Sequence, residues 1–365
     1  MKTSPPNNKI SIVFALPSLC SGGAERVMSF IAQNIDNKTF EPTILVTGTE
    51  AQTVYDVSNI NVVYLNKSRV LNAIVPLFTY LRKHKPQIVI SAIGHLNTLM
   101  AYYSMFLPKT KFIAREVNIL SKLEAYAFNK IPFSDIFSKR RFNFFDRIIC
   151  QSQDMLDDLT QNYKVNTSKL VVINNPITDG FTLQEKKYNP GDDLNFVTVA
   201  RLKKQKGHER ILQALSKVDF PFTYTIVGDG PEHENVFNLI DTLGLTDKVK
   251  HIKHTNKVVE VLAENDLYLQ GSFIEGFPNS VIESCAAGTP ILACDAPGGI
   301  NEIIEHNING IIAKDMDEFI IQLNAIYENY NFNRKAVSQC VFNKYHKDII
   351  LKKYESVFLN LVNHE

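Results

Sequence analysis

Net charge is almost absent from this sequence: 39 Lys and Arg stand against 38 Asp and Glu, a formal +1. No global field therefore recruits nucleic acid, and any basic site has to be local. Cysteine pairs are absent too. Cys20, Cys150, Cys285, Cys294 and Cys340 are odd in number, widely spread, and form neither a CxxC nor a His/Cys cluster. That argues against a disulfide framework or a zinc site and suits a reducing cytoplasm. The first residues, MKTSPPNNK, lack the apolar stretch and small-residue cleavage site of a secretory signal, so no export is expected. There is no fixed-period repeat and no low-complexity tract. The apolar run closest to membrane-spanning length is IVISAIGHLNTLMAYYSMFL, residues 88–107. Gly94, His95 and Asn97 break it into a buried strand, a turn and a helix beginning near Asn97 or Thr98. The dinucleotide fingerprint is also missing, because SLCSGGAERVMSF after the first strand-like run has no GxGxxG and no acid at the expected distance. Hydride transfer is thereby disfavoured.

What is present describes an ordinary globular protein, 45% hydrophobic and 21% charged over 365 residues, and that length predicts two domains. Short apolar runs recur, each followed by a helix-period segment. KISIVFAL, TILVT, IVISAI, KFIAR and RIICQS lie in the first half, and NFVTVAR, FTYTIVG, DLYLQ, TPILAC and GIIAK in the second. Strands alternating with helices indicate parallel sheets, since parallel neighbours need crossover helices. The composition changes once, at NNPITDGFTLQEKKYNPGDDLN (174–195), which reads as a linker. The expected fold class is α/β, two Rossmann-like parallel-sheet domains over 1–180 and 181–349. Ligands bind such sheets at the carboxyl ends of the strands, so two facing domains would enclose a cleft.

The loops after strands hold the candidate residues. Ser21 can cap a helix introduced by Gly22 and Gly23, and a glycine pair there either admits an anion or is only a tight turn. In VARLKKQKGHERILQAL, Arg201 and Lys206 can grip a diphosphate, although with Lys203 and Lys204 the run equally reads as a solvated basic turn. VGDGPEHENVF carries Gly228, Gly230 and Pro231, which suits strand-to-helix punctuation with Pro231 in the first helical turn. SFIEGFPNSVIESCAAGTP (272–290) places Glu275 in a loop and Glu283 in a helix closed by Gly288. Ser280 and Glu283 have the spacing of a capping box, while the N–H groups of Asn279 and Ser280 offer an anion site.

Taken together, SGGAERV, RIICQSQDMLDDL, VVINNPI, ARLKKQKG, VGDGP, EGFPNSVIE and APGGINEII, in this order and with the E-x7-E pair, resemble the family 4 retaining glycosyltransferases of GT-B fold. The resemblance covers nearly the whole chain. It implies an N-terminal acceptor-binding domain, against which a C-terminal helix of about 350–365 packs back, and a C-terminal nucleotide-sugar domain. By the same resemblance Arg201 and Lys206 bind the donor diphosphate, Glu275 holds the transferred sugar, and Glu283 accepts the ribose hydroxyls. Gly22, Gly23, Gly230, Phe277, Pro278, Asn279 and Ser280 complete the donor contacts. Many members place a histidine after the strand that here reads KFIAREVNIL. This chain has Arg115, Glu116 and Asn118 instead, which leaves His95 and Glu116 as candidate contacts to acceptor or sugar.

The implied reaction is a front-face retaining transfer, most simply from a UDP-sugar carrying a hexose or N-acetylhexosamine. The GGAER subgroup is similar to enzymes of surface polysaccharide and lipid-linked oligosaccharide synthesis, so a lipid-linked glycan is the implied acceptor. No cofactor and no metal are expected, since Asp315 and Asp317 spell DxD but read as the start of a helix. Residues 121–147 set six phenylalanines among six cations and three acids, a basic aromatic segment suited to an anionic membrane surface. The expected location is cytoplasmic, peripheral on the inner face of the cytoplasmic membrane. The alternatives are a related nucleotide-sugar epimerase and a non-catalytic sugar-nucleotide-binding protein.

Overall fold

Each apolar run read from the sequence forms a parallel strand in the computed structural model, which describes residues 9–20, 22–126, 140–184, 186 and 193–363. The first sheet contains β1 (Ile10–Leu16), β2 (Phe40–Val46), β3 (Asn61–Tyr64), β4 (Ile88–Ala92), β5 (Lys111–Arg115), β6 (Arg147–Cys150) and β7 (Leu170–Val172). Their order is β3-β2-β1-β4-β5-β6-β7. The second contains β8 (Leu194–Val199), β9 (Phe222–Val227), β10 (Val249–Ile252), β11 (Leu267–Gln270), β12 (Ile291–Cys294) and β13 (Gly310–Ala313), in the order β10-β9-β8-β11-β12-β13. In each sheet the order reverses beside the first strand, between β1 and β4 and between β8 and β11. Ligands of doubly wound sheets bind at that switch point. The helices used below are α1 (Gly23–Asn34), α2 (Ile74–His84), α3 (Gly94–Ser104), α4 (His208–Leu215), α5 (Asn279–Ala286) and α6 (Lys347–Asn363).

Three strands were not expected: β3, β7 and β10. All lie at sheet edges and are mostly half-buried, so their apolar pattern is weak. The central β4 is buried at every residue, as a strand covered on both faces should be.

The chain divides into two compact units, Met1–Pro176 with Asp348–Glu365, and Ile177–Lys347. The first division therefore falls at 176/177, just before the expected 180/181. In the first unit Phe14 pairs in register with Ile44 and Ile90. α6 returns to cover this sheet with Ile350, Tyr354 and Phe358, and Phe358 meets Phe14 and Phe40 edge-on at 6.3 and 5.8 Å. In the second unit side chains alternate between two cores, Phe196 on one face of β8 and Val197 on the other, the period of a strand.

Several local expectations are corrected. α3 starts at Gly94, not near Asn97, because Asn97 is no cap: its buried side chain accepts from Ser91 Oγ (2.7 Å) and donates to Glu116 Oε1 (3.0 Å). α1 has Gly22 at its cap position, and Ser21 lies outside the described residues. The helix after VGDGP begins at His233, so Pro231 stands in the turn before it. α5 begins at Asn279 with Pro278 at the cap and no side-chain cap bond. Ser280 is therefore already inside the helix, the capping box with Glu283 does not form, and the Ser280 hydroxyl instead accepts from Tyr268 Oη at 2.8 Å. Asp315 is a true N-cap, accepting from the Glu318 N–H at 2.8 Å, and Asp317 lies in the first turn. Among the described residues no helix is long and apolar enough to cross a membrane.

Candidate functional site

The second unit gathers its candidate residues on the loops that follow β8 and β11. After β8 the chain runs through Arg201 to a 3-10 turn at Lys204–Lys206 and enters α4 through Gly207. Gly207 is in the left-handed region at φ 64°, and a Cβ there would stand 1.8 Å from the Gly271 carbonyl oxygen. The two loops touch at main-chain distance, which only glycine permits. Arg210, on α4, fastens the second loop further. Its guanidinium donates to the Gly271 carbonyl (2.9 Å) and the Ser272 carbonyl (2.6 Å) and lies 3.8 Å over the Phe273 ring.

This joint brings Lys206 onto Glu275. Lys206 Nζ donates to both carboxylate oxygens, at 2.6 and 2.7 Å. Ser272 Oγ (2.6 Å) and Gln270 Nε2 (3.1 Å) also donate to Glu275. Glu275 is 7% exposed, and a carboxylate buried to that degree needs such partners. Arg201 remains exposed at the end of β8. Beside it, partial burial and then the charges of Arg201 and Lys206 hold the Lys203 ammonium below its usual pKa. Three cations gathered on one loop favour an anion beside it.

Neighbouring loops brace this arrangement through their backbones. A Cβ on Gly230 would lie 2.3 Å from the Leu202 carbonyl oxygen, and one on Gly298 (φ 120°) would lie 2.2 Å from that of Glu275. Glu275 also donates its N–H to Pro297 O at 3.0 Å. Gly230 thus supports the Arg201 loop, and Gly298 supports Glu275. Glu283 is buried one turn inside α5. Phe277 is 5% exposed and packs edge-on against Tyr345 at 5.3 Å, so it anchors the loop that carries Glu275.

His208 is 2% exposed, its ring enclosed beside the Arg201 backbone. Burial above all lowers its pKa from 6.5 to about 4. The folded protein keeps the ring neutral where the unfolded chain would protonate it. The stability this contributes is complete above pH 6.5 and is lost as pH falls toward 4, by up to about 3 kcal/mol. Urea melts across that window are expected to show this slope in the native protein and a flatter one in His208→Leu.

In the first unit, the Tyr55 hydroxyl accepts from the Gly22 N–H (2.8 Å) and donates to the Gly22 carbonyl (2.9 Å). The Gly22 amide expected to face an anion is therefore committed, and that reading passes to Gly23 at the first turn of α1. Glu116 is likewise corrected. It is 2% exposed, accepts from Asn97 and forms a 3.2 Å ion pair with Arg141, whose other nitrogen donates to Thr98. A carboxylate so enclosed ties β5 to α3 and is not presented to an acceptor. His95 stays exposed on the first turn of α3, with its pKa lowered by partial burial. Of the basic aromatic segment 121–147, residues 127–139 lie outside the described residues. Phe142 and Phe145 are core, each 1% exposed, and only Phe144 is solvent-facing among the described phenylalanines there.

Sequence reasoning missed Gln270, Ser272, Arg210 and Gly298 as supports of Glu275. Arg210 lies four residues after Lys206, and Gln270 and Ser272 precede Glu275 at the strand end, which were usable signals. Among the described residues, no group of three or more His, Cys, Asp or Glu is placed to hold a metal ion.

Two sheets of Rossmann order, with a cationic loop and a clamped carboxylate at the switch point of the second, define an α/β protein of the doubly wound class with its candidate ligand site at that point. The chain matches the model of Glycosyltransferase Family 4 over residues 21–180 and that of Glycosyl transferases group 1 over residues 181–339. It belongs to the GT-B glycosyltransferases of the family 4 type. An uncharacterized glycosyltransferase of Haemophilus influenzae is 31% identical over 171 residues, covering 46% of this chain and 48% of that protein. The chain thus spans about half the length of the curated relatives that it matches at this level. The Campylobacter jejuni N-acetylgalactosamine-N,N'-diacetylbacillosaminyl-diphospho-undecaprenol 4-alpha-N-acetylgalactosaminyltransferase is 24% identical over 316 residues, 81% of this chain and 84% of that one. Among solved structures, Anabaena HepE in complex with UDP superposes with a TM-score of 0.81 at 18% identity, covering 96% of this chain and all of that one. That likeness is one of fold.

Proposed function

We propose that this protein is a retaining glycosyltransferase that moves a hexose or N-acetylhexosamine from a UDP-sugar to a lipid-linked glycan in cell-surface polysaccharide or oligosaccharide synthesis. The observation that carries the reading is the Lys206–Glu275 clamp beside exposed Arg201 at the carboxyl ends of β8 and β11. Two of the three Lys206 ammonium protons go to Glu275, which leaves one for a phosphate oxygen. Arg201 supplies a planar fork suited to a second. Glu275, fixed by Lys206, Ser272 and Gln270, receives the sugar hydroxyls, and Glu283 receives the ribose diol. The UDP complex of HepE and the diphospho-undecaprenol named for the Campylobacter relative support this choice of donor and acceptor.

As the glycosidic carbon separates from the donor, the bond's electron pair moves onto the diphosphate, where Arg201 and Lys206 stabilise the growing charge. The acceptor hydroxyl attacks from the same face, and its proton passes to the departing phosphate. The proposed transfer is metal-independent, with Arg201 and the remaining Lys206 proton as the cationic contacts to the diphosphate. The protein acts on the inner face of the cytoplasmic membrane, with the basic segment 121–147 contributing to attachment.

Calorimetric titration with UDP, GDP and ADP, each with and without magnesium, tests the donor assignment. UDP is expected to bind selectively and independently of metal. Glu283→Gln, which keeps the shape but removes the charged acceptor, is expected to weaken UDP by about tenfold or more without lowering thermal stability. Failure of all three nucleotides to bind would overturn the proposal.

A further inference from the structure

We infer that the outer face of α2, with the adjoining end of α3, is a docking surface for an anionic lipid bilayer. Apolar exposure concentrates here. Leu71 (75%), Val75 (72%), Phe106 (67%), Met105 (47%), Ile74 (38%) and Tyr102 (37%) are all solvent-facing. Ile74 and Phe106 lie along one seam, because Tyr103 Oη donates to the Ile74 carbonyl at 2.5 Å and Phe78 meets Tyr103 and Phe106 at 5.2 and 6.3 Å; Leu71 and Val75 flank Ile74 in sequence, and Met105 precedes Phe106. On α2 the buried Leu77 and Leu81 face the core. Val75, Thr79, Arg82 and Lys83 are exposed and recur at helical spacing on the side away from them. A face this apolar is unusual on a lone soluble unit and marks a surface that something covers.

Charge says what covers it. Between Asp56 and Glu116 the sequence has no Asp or Glu and has eight Lys and Arg, of which only Arg115 is buried. Arg69 precedes the patch, Lys109 follows Phe106, and Arg82, Lys83 and Lys85 end α2, all exposed. None of these five makes an ion pair with a described residue. An apolar wedge rimmed by unpaired cations, with no acid in the same stretch, is complementary to anionic headgroups over acyl chains. It shares no residue with 121–147. It deepens the membrane-side reading above but is measured separately, since UDP calorimetry reports the donor site and vesicle binding reports this face.

The test is co-sedimentation of the full chain with phosphatidylcholine vesicles and with vesicles containing phosphatidylglycerol. The native protein is expected on the anionic vesicles only. Val75→Glu with Phe106→Glu is expected to reduce that binding by about tenfold or more. Glutamate at position 75 falls in the first turn of α2, where its charge favours the helix, so folding is retained. Arg82→Gln with Lys83→Gln and Lys109→Gln is expected to reduce binding several-fold and to remove most of its salt dependence. UDP binding is expected to be unchanged in both variants. Vesicle binding equal to the native protein's in the glutamate variant, or no binding of the native protein to either vesicle, would overturn the inference. So would self-association of the native protein that the same substitutions abolish, which would assign the face to a second copy.

Discussion

Replacing Arg201 by alanine is expected to lower kcat by about 10²–10³-fold, the usual cost of removing one preorganised stabiliser of transition-state charge. The fold should hardly notice. Arg201 is exposed, and the loop that carries it is held by main-chain bonds, Leu202 N–H to Asp229 O at 3.1 Å and Glu232 N–H to Leu202 O at 3.0 Å. A surface change of this kind shifts stability by about 0.5 kcal/mol or less. Arg201→Lys should fall between the two, because a lysine restores charge without the planar fork. Steady-state kinetics beside a thermal melt decides the matter. An alanine variant with native kcat would remove Arg201 from the diphosphate.

Gly298→Ala should be nearly as damaging by a different route. The new Cβ would stand 2.2 Å from the Glu275 carbonyl oxygen, at a φ of 120° that side chains disfavour. Strain and overpacking together would cost on the order of 1–3 kcal/mol each, and the loop would relieve part of this by shifting Glu275. Displacing a positioning group by about 1 Å costs on the order of 10²-fold in turnover. UDP affinity, which depends on Glu283 in α5, should change far less. Gly244→Ala is the control. It has a φ of 67° but nothing within 4 Å of its added Cβ, so it should lose stability without a matching loss of kcat. Equal kcat losses in the two variants would detach Gly298 from Glu275.

How much of this was legible in the sequence follows from what is local. Buried strands were read correctly, the edge strand β13 among them, because burial makes their sequences continuously apolar, whereas β3, β7 and β10 escaped because none of their residues is fully buried. The Ser280–Glu283 spacing was real but misleading, since the helix starts directly after Pro278 and draws Ser280 inside it. Glu116 and Phe277 look available in sequence and are enclosed in space. The contact that organises the second unit, Lys206 with Glu275, joins residues 69 positions apart. Neighbouring motifs could suggest both residues, but only the close approach of Gly207 to Gly271 places one on the other.

The return of α6 to the first sheet has a consequence for biosynthesis. Residues 348–365 leave the ribosome after the whole of Ile177–Lys347, yet they belong to the first unit. The second unit is continuous in sequence and can complete its core while the first still lacks Tyr354 and Phe358. During that interval Phe14 and Phe40 have no Phe358 to cover them, and Arg115, which later donates to Tyr354 Oη at 3.0 Å, lacks that partner. Part of the first unit's apolar sheet thus stays uncovered until α6 has been made, and apolar surface exposed in that way is prone to aggregation on the nascent chain.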